Sequence, residues 1–125
     1  MDRDSRDAAA LVRKVAKPGE TLLVWGYRPE IFVYTNLPAA TKYLDSQPLT
    51  GVPADRHLTQ SEPVEIEAAA RRRAELTQSR PAFVLDGLGF FNPRLAITSY
   101  PELHDWMARY REIARTRETV IYQRE

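Results

Sequence analysis

Two short apolar runs constrain this chain more than any other feature. Thr21 to Trp25 lies between Pro18-Gly19 and Gly26, and Ala82 to Leu85 lies between Pro81 and Asp86-Gly87. Each is too short for a helix and nearly uninterrupted in apolar character, so each reads as a strand buried on both faces. Such a strand needs helices packed on either side of its sheet.

The intervening sequence supplies them. Asp4 to Lys17 sets Ala8, Leu11, Val12 and Val15 at helical spacing, with acids at its start, Lys14 and Lys17 at its end and Pro18-Gly19 as a stop. Pro29 to Asn36 mixes β-favouring Ile31, Phe32, Val33 and Tyr34 with a Pro29-Glu30 start that suits one or two helical turns. Ala40 to Leu44 is a short strand candidate, and Asp45 to Ser61 a polar connection. Glu62 to Ser79 predicts the longest helix, with a face of Ile66, Ala69, Ala70, Leu76 and Thr77. Arg73 falls within that face and needs an acidic partner or a route to water.

After a loop from Gly87 to Thr98, Ser99 and Glu102 stand in capping-box spacing ahead of a helical stripe of Leu103, Trp106, Met107 and Tyr110. Arg111 to Glu125 reads as an antiparallel strand pair turning around Thr116 to Glu118. The expected fold is a single α/β domain over residues 1–125. Its central sheet is mostly parallel, flanked by helices in a Rossmann-like or flavodoxin-like manner, with a C-terminal antiparallel pair at one edge.

Composition narrows the function. With 18 Lys+Arg against 17 Asp+Glu, the formal charge of +1 offers no field for nucleic acid. The longest strictly apolar run is Ala8 to Val12, against the about 20 residues a membrane span needs. No basic start with an apolar segment behind it suggests a secretory signal. The chain has no cysteine, which excludes disulfides, zinc-thiolate sites and thiol nucleophiles.

Motifs for catalysis are sparse. His57 and His104 are isolated and supply neither a metal set nor a triad, so no catalytic residue, metal or cofactor is assigned. Gly87-Leu88-Gly89 follows a strand, but Asn92 stands where a dinucleotide loop has its third glycine. Arg71 to Arg73 are surrounded by Glu65, Glu67 and Glu75, the pattern of a solvated helix face. Among Glu30, Asp45, Asp55 and Asp86, only Asp86 closes a predicted strand. Ligands of layered α/β sheets gather beyond the carboxyl ends of parallel strands, which directs attention to the loops at Gly26 and Asp86. Trp25, Tyr27, Arg28, Phe32, Tyr34 and Asn36 form the densest aromatic and polar cluster, a composition suited to sugar rings and equally to core packing.

The order of pieces resembles a known family. Val24-Trp25-Gly26, Pro29-Glu30-Ile31-Phe32-Val33-Tyr34, Pro38 to Leu44 and Pro48-Leu49-Thr50-Gly51 are followed by Pro81 to Asp86, the helix expected to end at Tyr110, and Val120 to Arg124. Together they resemble the C-terminal extracytoplasmic domain of bacterial polytopic glycosyltransferases similar to protein mannosyltransferases and aminoarabinose transferases. The resemblance implies a parent enzyme that takes sugar from a polyprenyl-phosphate donor. The chain would be its noncatalytic periplasmic piece, Met1 a boundary, and the parent's membrane-embedded region its partner. In that family the multi-helix membrane region and an acidic residue in the first extracytoplasmic loop perform transfer, and no catalytic residue carries over to this chain. A carbohydrate or glycan acceptor would then contact Trp25, Tyr27, Arg28, Glu30, Asn36, Asp86 and Asn92, with Trp25 and Tyr27 stacking, Arg28 and Asn36 hydrogen-bonding and Asp86 accepting from hydroxyls. Two alternatives stay open: an interaction domain without ligand, and a free-standing small α/β protein that binds a nucleotide or sugar.

Overall fold

The computed structural model describes residues 2–53 and 63–125. Asp55, His57 and the start predicted for the helix at Glu62 lie outside the described residues. The chain forms helix α1 (Asp2–Val15), strand β1 (Leu22–Trp25), short helices α2 (Glu30–Thr35) and α3 (Gln47–Thr50), helix α4 (Ile66–Leu76) and strand β2 (Phe83–Asp86). Three 3-10 turns between Pro93 and Leu103 lead into one turn of helix, α5 (His104–Met107), and then strands β3 (Tyr110–Arg115) and β4 (Val120–Arg124).

The four strands form one mixed sheet in the order β1-β2-β4-β3. β1 and β2 pair in parallel, whereas β4 pairs antiparallel with both β2 and β3. The mostly parallel sheet expected from the sequence is therefore corrected to one parallel ladder and two antiparallel ones. The cause is the terminal hairpin, which inserts β4 between β2 and β3. β3 runs in the direction of β1 and β2 but pairs with neither. The antiparallel C-terminal pair itself is present, with a register shift between Glu112 and Ala114. Its turn closes without glycine because Thr116 serves it twice: the Thr116 N–H donates to Thr119 O at 2.9 Å, and Thr116 Oγ1 accepts the Thr119 N–H at 3.1 Å.

Both short apolar runs are buried on both faces, and their alternation splits the core in two. Leu22, Val24, Phe83 and Leu85 join Ala8 and Val12 of α1 and Ile31 of α2 on one side. Leu23, Trp25 and Val84 join Leu49, Leu76, Leu103 and Trp106 on the other. The apolar stripe read for α1 packs as expected except at Val15, which is 45% exposed at the helix end.

Three further expectations are corrected. Ala40 to Leu44 forms no strand; a single bridge joins Leu22 and Ala39 beside β1, through the Leu22 N–H to Pro38 O and the Ala40 N–H to Leu22 O. The described helix α4 is 11 residues against 14 for α1, with Glu65 as its nonhelical N-cap, so α1 is the longer. The helix expected to reach Tyr110 stops at Met107, since Tyr110 is already the first residue of β3. Ser99 does not cap it: its hydroxyl donates to Arg94 O and Ala96 O, and Glu102 pairs with Arg73 instead. That pairing answers the problem of Arg73, which also donates to Leu49 O at 2.7 Å and lies over the Tyr100 ring at 4.5 Å.

Candidate functional site

A buried, densely hydrogen-bonded group lies at the end of the sheet where β1 and β2 finish. Arg28 leaves the Gly26 turn and points inward, only 1% exposed. Its Nη1 donates to Asp4 Oδ2 at 2.9 Å and to Ser5 Oγ at 3.3 Å, and its Nη2 to Gly87 O at 3.3 Å and Glu118 O at 3.5 Å. Asp4 also accepts the Thr119 hydroxyl at 2.6 Å and the Glu118 N–H at 3.0 Å. Burial alone would raise the Asp4 carboxyl, but these donors, Thr119 first and Arg28 next, hold it down at about 2. One ion pair thus ties α1, the β1 turn, the β2 turn and the β3–β4 turn together.

Asp86 closes β2 and is 4% exposed. Its Oδ1 accepts the N–H groups of Leu88 and Gly89, each at 2.9 Å, and its Oδ2 that of Ile97 at 2.9 Å. Burial pushes its carboxyl up, against the pull of those three amides and the nearby Arg28 charge. These bonds fold the Gly87–Ile97 loop back over the strand end, in place of the helix a dinucleotide loop would open.

Between that loop and the β3–β4 turn runs an open cleft of about 340 Å³. Asp86 lies in its lining, with Phe90 and Thr98 on the loop side and Arg117, Glu118 and Tyr122 on the hairpin side. Phe90 is 59% exposed, and its ring packs edge-on against Phe91 with centroids 5.1 Å apart. Glu118 Oε1 is buried without a hydrogen-bond partner. Burial and the neighbouring Asp86 charge raise the Tyr122 phenol, favouring its protonated form.

The seven residues expected to contact ligand are distributed unevenly. Trp25, Arg28 and Asp86 come together, with Trp25 in register with Asp86 across the parallel ladder. The Trp25 ring is fully buried, its Nε1 donating to Leu95 O at 2.8 Å and its edge meeting Tyr100. It presents no face to solvent. Asn92 is buried inside the β2 loop, where its backbone bonds Leu88 and Leu95. Glu30 accepts the Ser5 hydroxyl at 2.8 Å and so borders the ion-pair group. Tyr27 is 53% exposed, and Asn36 is an exposed left-handed cap of α2 at φ 56°. Neither lines the cleft. Elsewhere His104 Nε2 lies 3.1 Å from Thr98 O, and Asp45 accepts the Gln47 N–H at 2.8 Å.

Phe90, Thr98, Arg117, Glu118 and Tyr122 were not singled out by sequence reasoning. The available signal was Phe90 itself, a large ring in a Gly-rich loop outside either apolar run. Among the described residues no helix is long and apolar enough to cross a membrane, and no three His, Asp or Glu side chains are grouped to hold a metal ion. Comparison of the chain with known protein families, curated proteins and solved structures finds no match.

Proposed function

We propose that the chain is the noncatalytic extracytoplasmic domain of a membrane glycosyltransferase that takes sugar from a polyprenyl-phosphate donor, and that it assists in binding sugar or acceptor on the periplasmic side. The observation that carries this reading is the ordered series of pieces from Val24-Trp25-Gly26 to Val120–Arg124. Two of those pieces join at Gly26, whose N–H donates to Ser46 Oγ at 3.0 Å and whose carbonyl accepts the Ser46 N–H at 3.1 Å, just ahead of Pro48.

The chemistry of the buried charges supports an accessory role. Both terminal nitrogens of Arg28 and both carboxylate oxygens of Asp4 and of Asp86 are engaged by groups of the protein itself, while Arg28 Nε is buried without a partner. The open cleft favours ligand contact over a purely docking role, which would ask for an apolar patch without a polar concavity.

The test is a transfer assay in membrane vesicles with a polyprenyl-phosphate hexose as donor. The complete gene product is expected to transfer hexose, and the 125-residue chain alone to transfer none. Turnover by the isolated chain would move the assignment to a free-standing enzyme.

A further inference from the structure

We infer that the cleft between the Gly87–Ile97 loop and the β3–β4 turn is a saccharide subsite, holding one uncharged pyranose ring between Phe90 and Glu118. The inference deepens the proposed function and rests on it for the biological source of the sugar, but the binding itself stands on the geometry of the cleft.

Four features agree. The volume of about 340 Å³ lies at the small end of the roughly 300–1,000 Å³ typical of ligand sites, suiting a single ring more than a nucleotide. Phe90 exposes 59% of its surface at the rim, an apolar face of the kind that covers the C–H side of a pyranose. Glu118 brings a carboxylate to the lining, an acceptor for ligand hydroxyls; its Oε1 is closed off from the cleft and has no donor, an unmade buried acceptor that a turn of the carboxylate toward a ligand hydroxyl would satisfy. Thr98 and Tyr122 add hydroxyls that both donate and accept, and Arg117 adds donors at the mouth.

Charge decides against an anionic ligand. Asp86 and Glu118 balance Arg115 and Arg117 within the lining, and the Arg115 Nε and Nη2 donate to the two carboxylate oxygens of Glu112 at 2.6 and 2.9 Å. A phosphate would meet two acids for one arginine not so engaged. The Glu118 main chain is fixed by Asp4 and Arg28, so this wall of the cleft is preformed.

The experiment is an amide NMR titration of the 125-residue chain with the methyl pyranosides of glucose, mannose and galactose, and separately with inorganic phosphate. Saturable shifts confined to Phe90, Thr98, Glu118 and their neighbours are expected with at least one pyranoside, together with weakening of about tenfold or more in F90A and in E118Q. Each variant's undisturbed amide spectrum outside the cleft shows that it is folded. Three results would overturn the assignment: no saturable shift with any pyranoside, shifts centred on Tyr27 and Asn36, or shifts at the cleft with phosphate alone. If the cleft stays silent while the complete gene product transfers hexose, the subsite falls and the proposed function stands. Pyranoside binding by a chain whose complete gene product transfers nothing gives the opposite division.

Discussion

Asp4 and Thr119 meet at 2.6 Å although 115 positions separate them, the Thr119 hydroxyl donating to the same carboxylate oxygen that receives Arg28. Through this contact the first turn of the first helix holds the last turn of the chain. Removing one partner of a buried ion pair leaves an uncompensated charge, at a cost of about 3–5 kcal/mol. D4A and R28A are each expected to lose stability of that order in chemical denaturation. The D4A change should also release amide-exchange protection at Glu118 and Thr119, while β1 and β2 keep theirs.

The same carboxylate sets the acid limb of stability. Its folded value of about 2 lies below the ordinary 3.8, so folding favours the ionised form. The resulting contribution, on the order of 2 kcal/mol, is fully present above the unfolded value and lost as pH falls from about 4 through about 2. Asp86 has the opposite sign. Burial raises it, so its contribution is fully present below the unfolded value and is lost as pH rises through the folded one. Urea denaturation from pH 2 to 7 should show a flatter acid limb in D4N than in the parent protein.

Asp86 also satisfies three backbone N–H groups of its loop, each left without that acceptor in D86A. At about 1–3 kcal/mol for each buried donor so stranded, D86A should lose at least about 3 kcal/mol and disorder the amides of Leu88, Gly89 and Ile97.

Gly26 has φ +132°, and a Cβ added there would come within 3.4 Å of the Gly87 carbonyl carbon. G26A is expected to cost about 1–3 kcal/mol of stability through backbone strain. The Ser46 contacts on both sides of Gly26 should weaken with it, visible as shifts of the Ser46 amide.

Several elements were legible in the sequence for plain physical reasons. Leu22–Trp25 and Phe83–Asp86 are strands because consecutive apolar residues can all be buried only where both faces are covered. The pairing of Arg73 followed from its place on an apolar helix face. Strand order was not legible, since nothing local to Val120–Arg124 says that it enters between β2 and β3. The stop at Met107 was hidden because Leu103, Trp106, Met107 and Tyr110 keep helical spacing while Tyr110 pairs with Arg124. Its hydroxyl donates to Pro81 O at 2.6 Å. Of the candidate site, the Asp86 loop was found through the rule for strand ends, whereas Glu118 sits in a polar turn whose partners, Asp4 and Arg28, lie at the far end of the chain. Asp4 carried one readable signal: it continues the Ala8–Val12 face by one turn.

The most direct measurement is the coding sequence immediately ahead of Met1 in the source genome. Membership in a lipid-linked sugar transferase requires several apolar segments of about 20 residues each to be encoded there in frame. A gene that starts at this methionine, with no such segments before it, would contradict the proposed function.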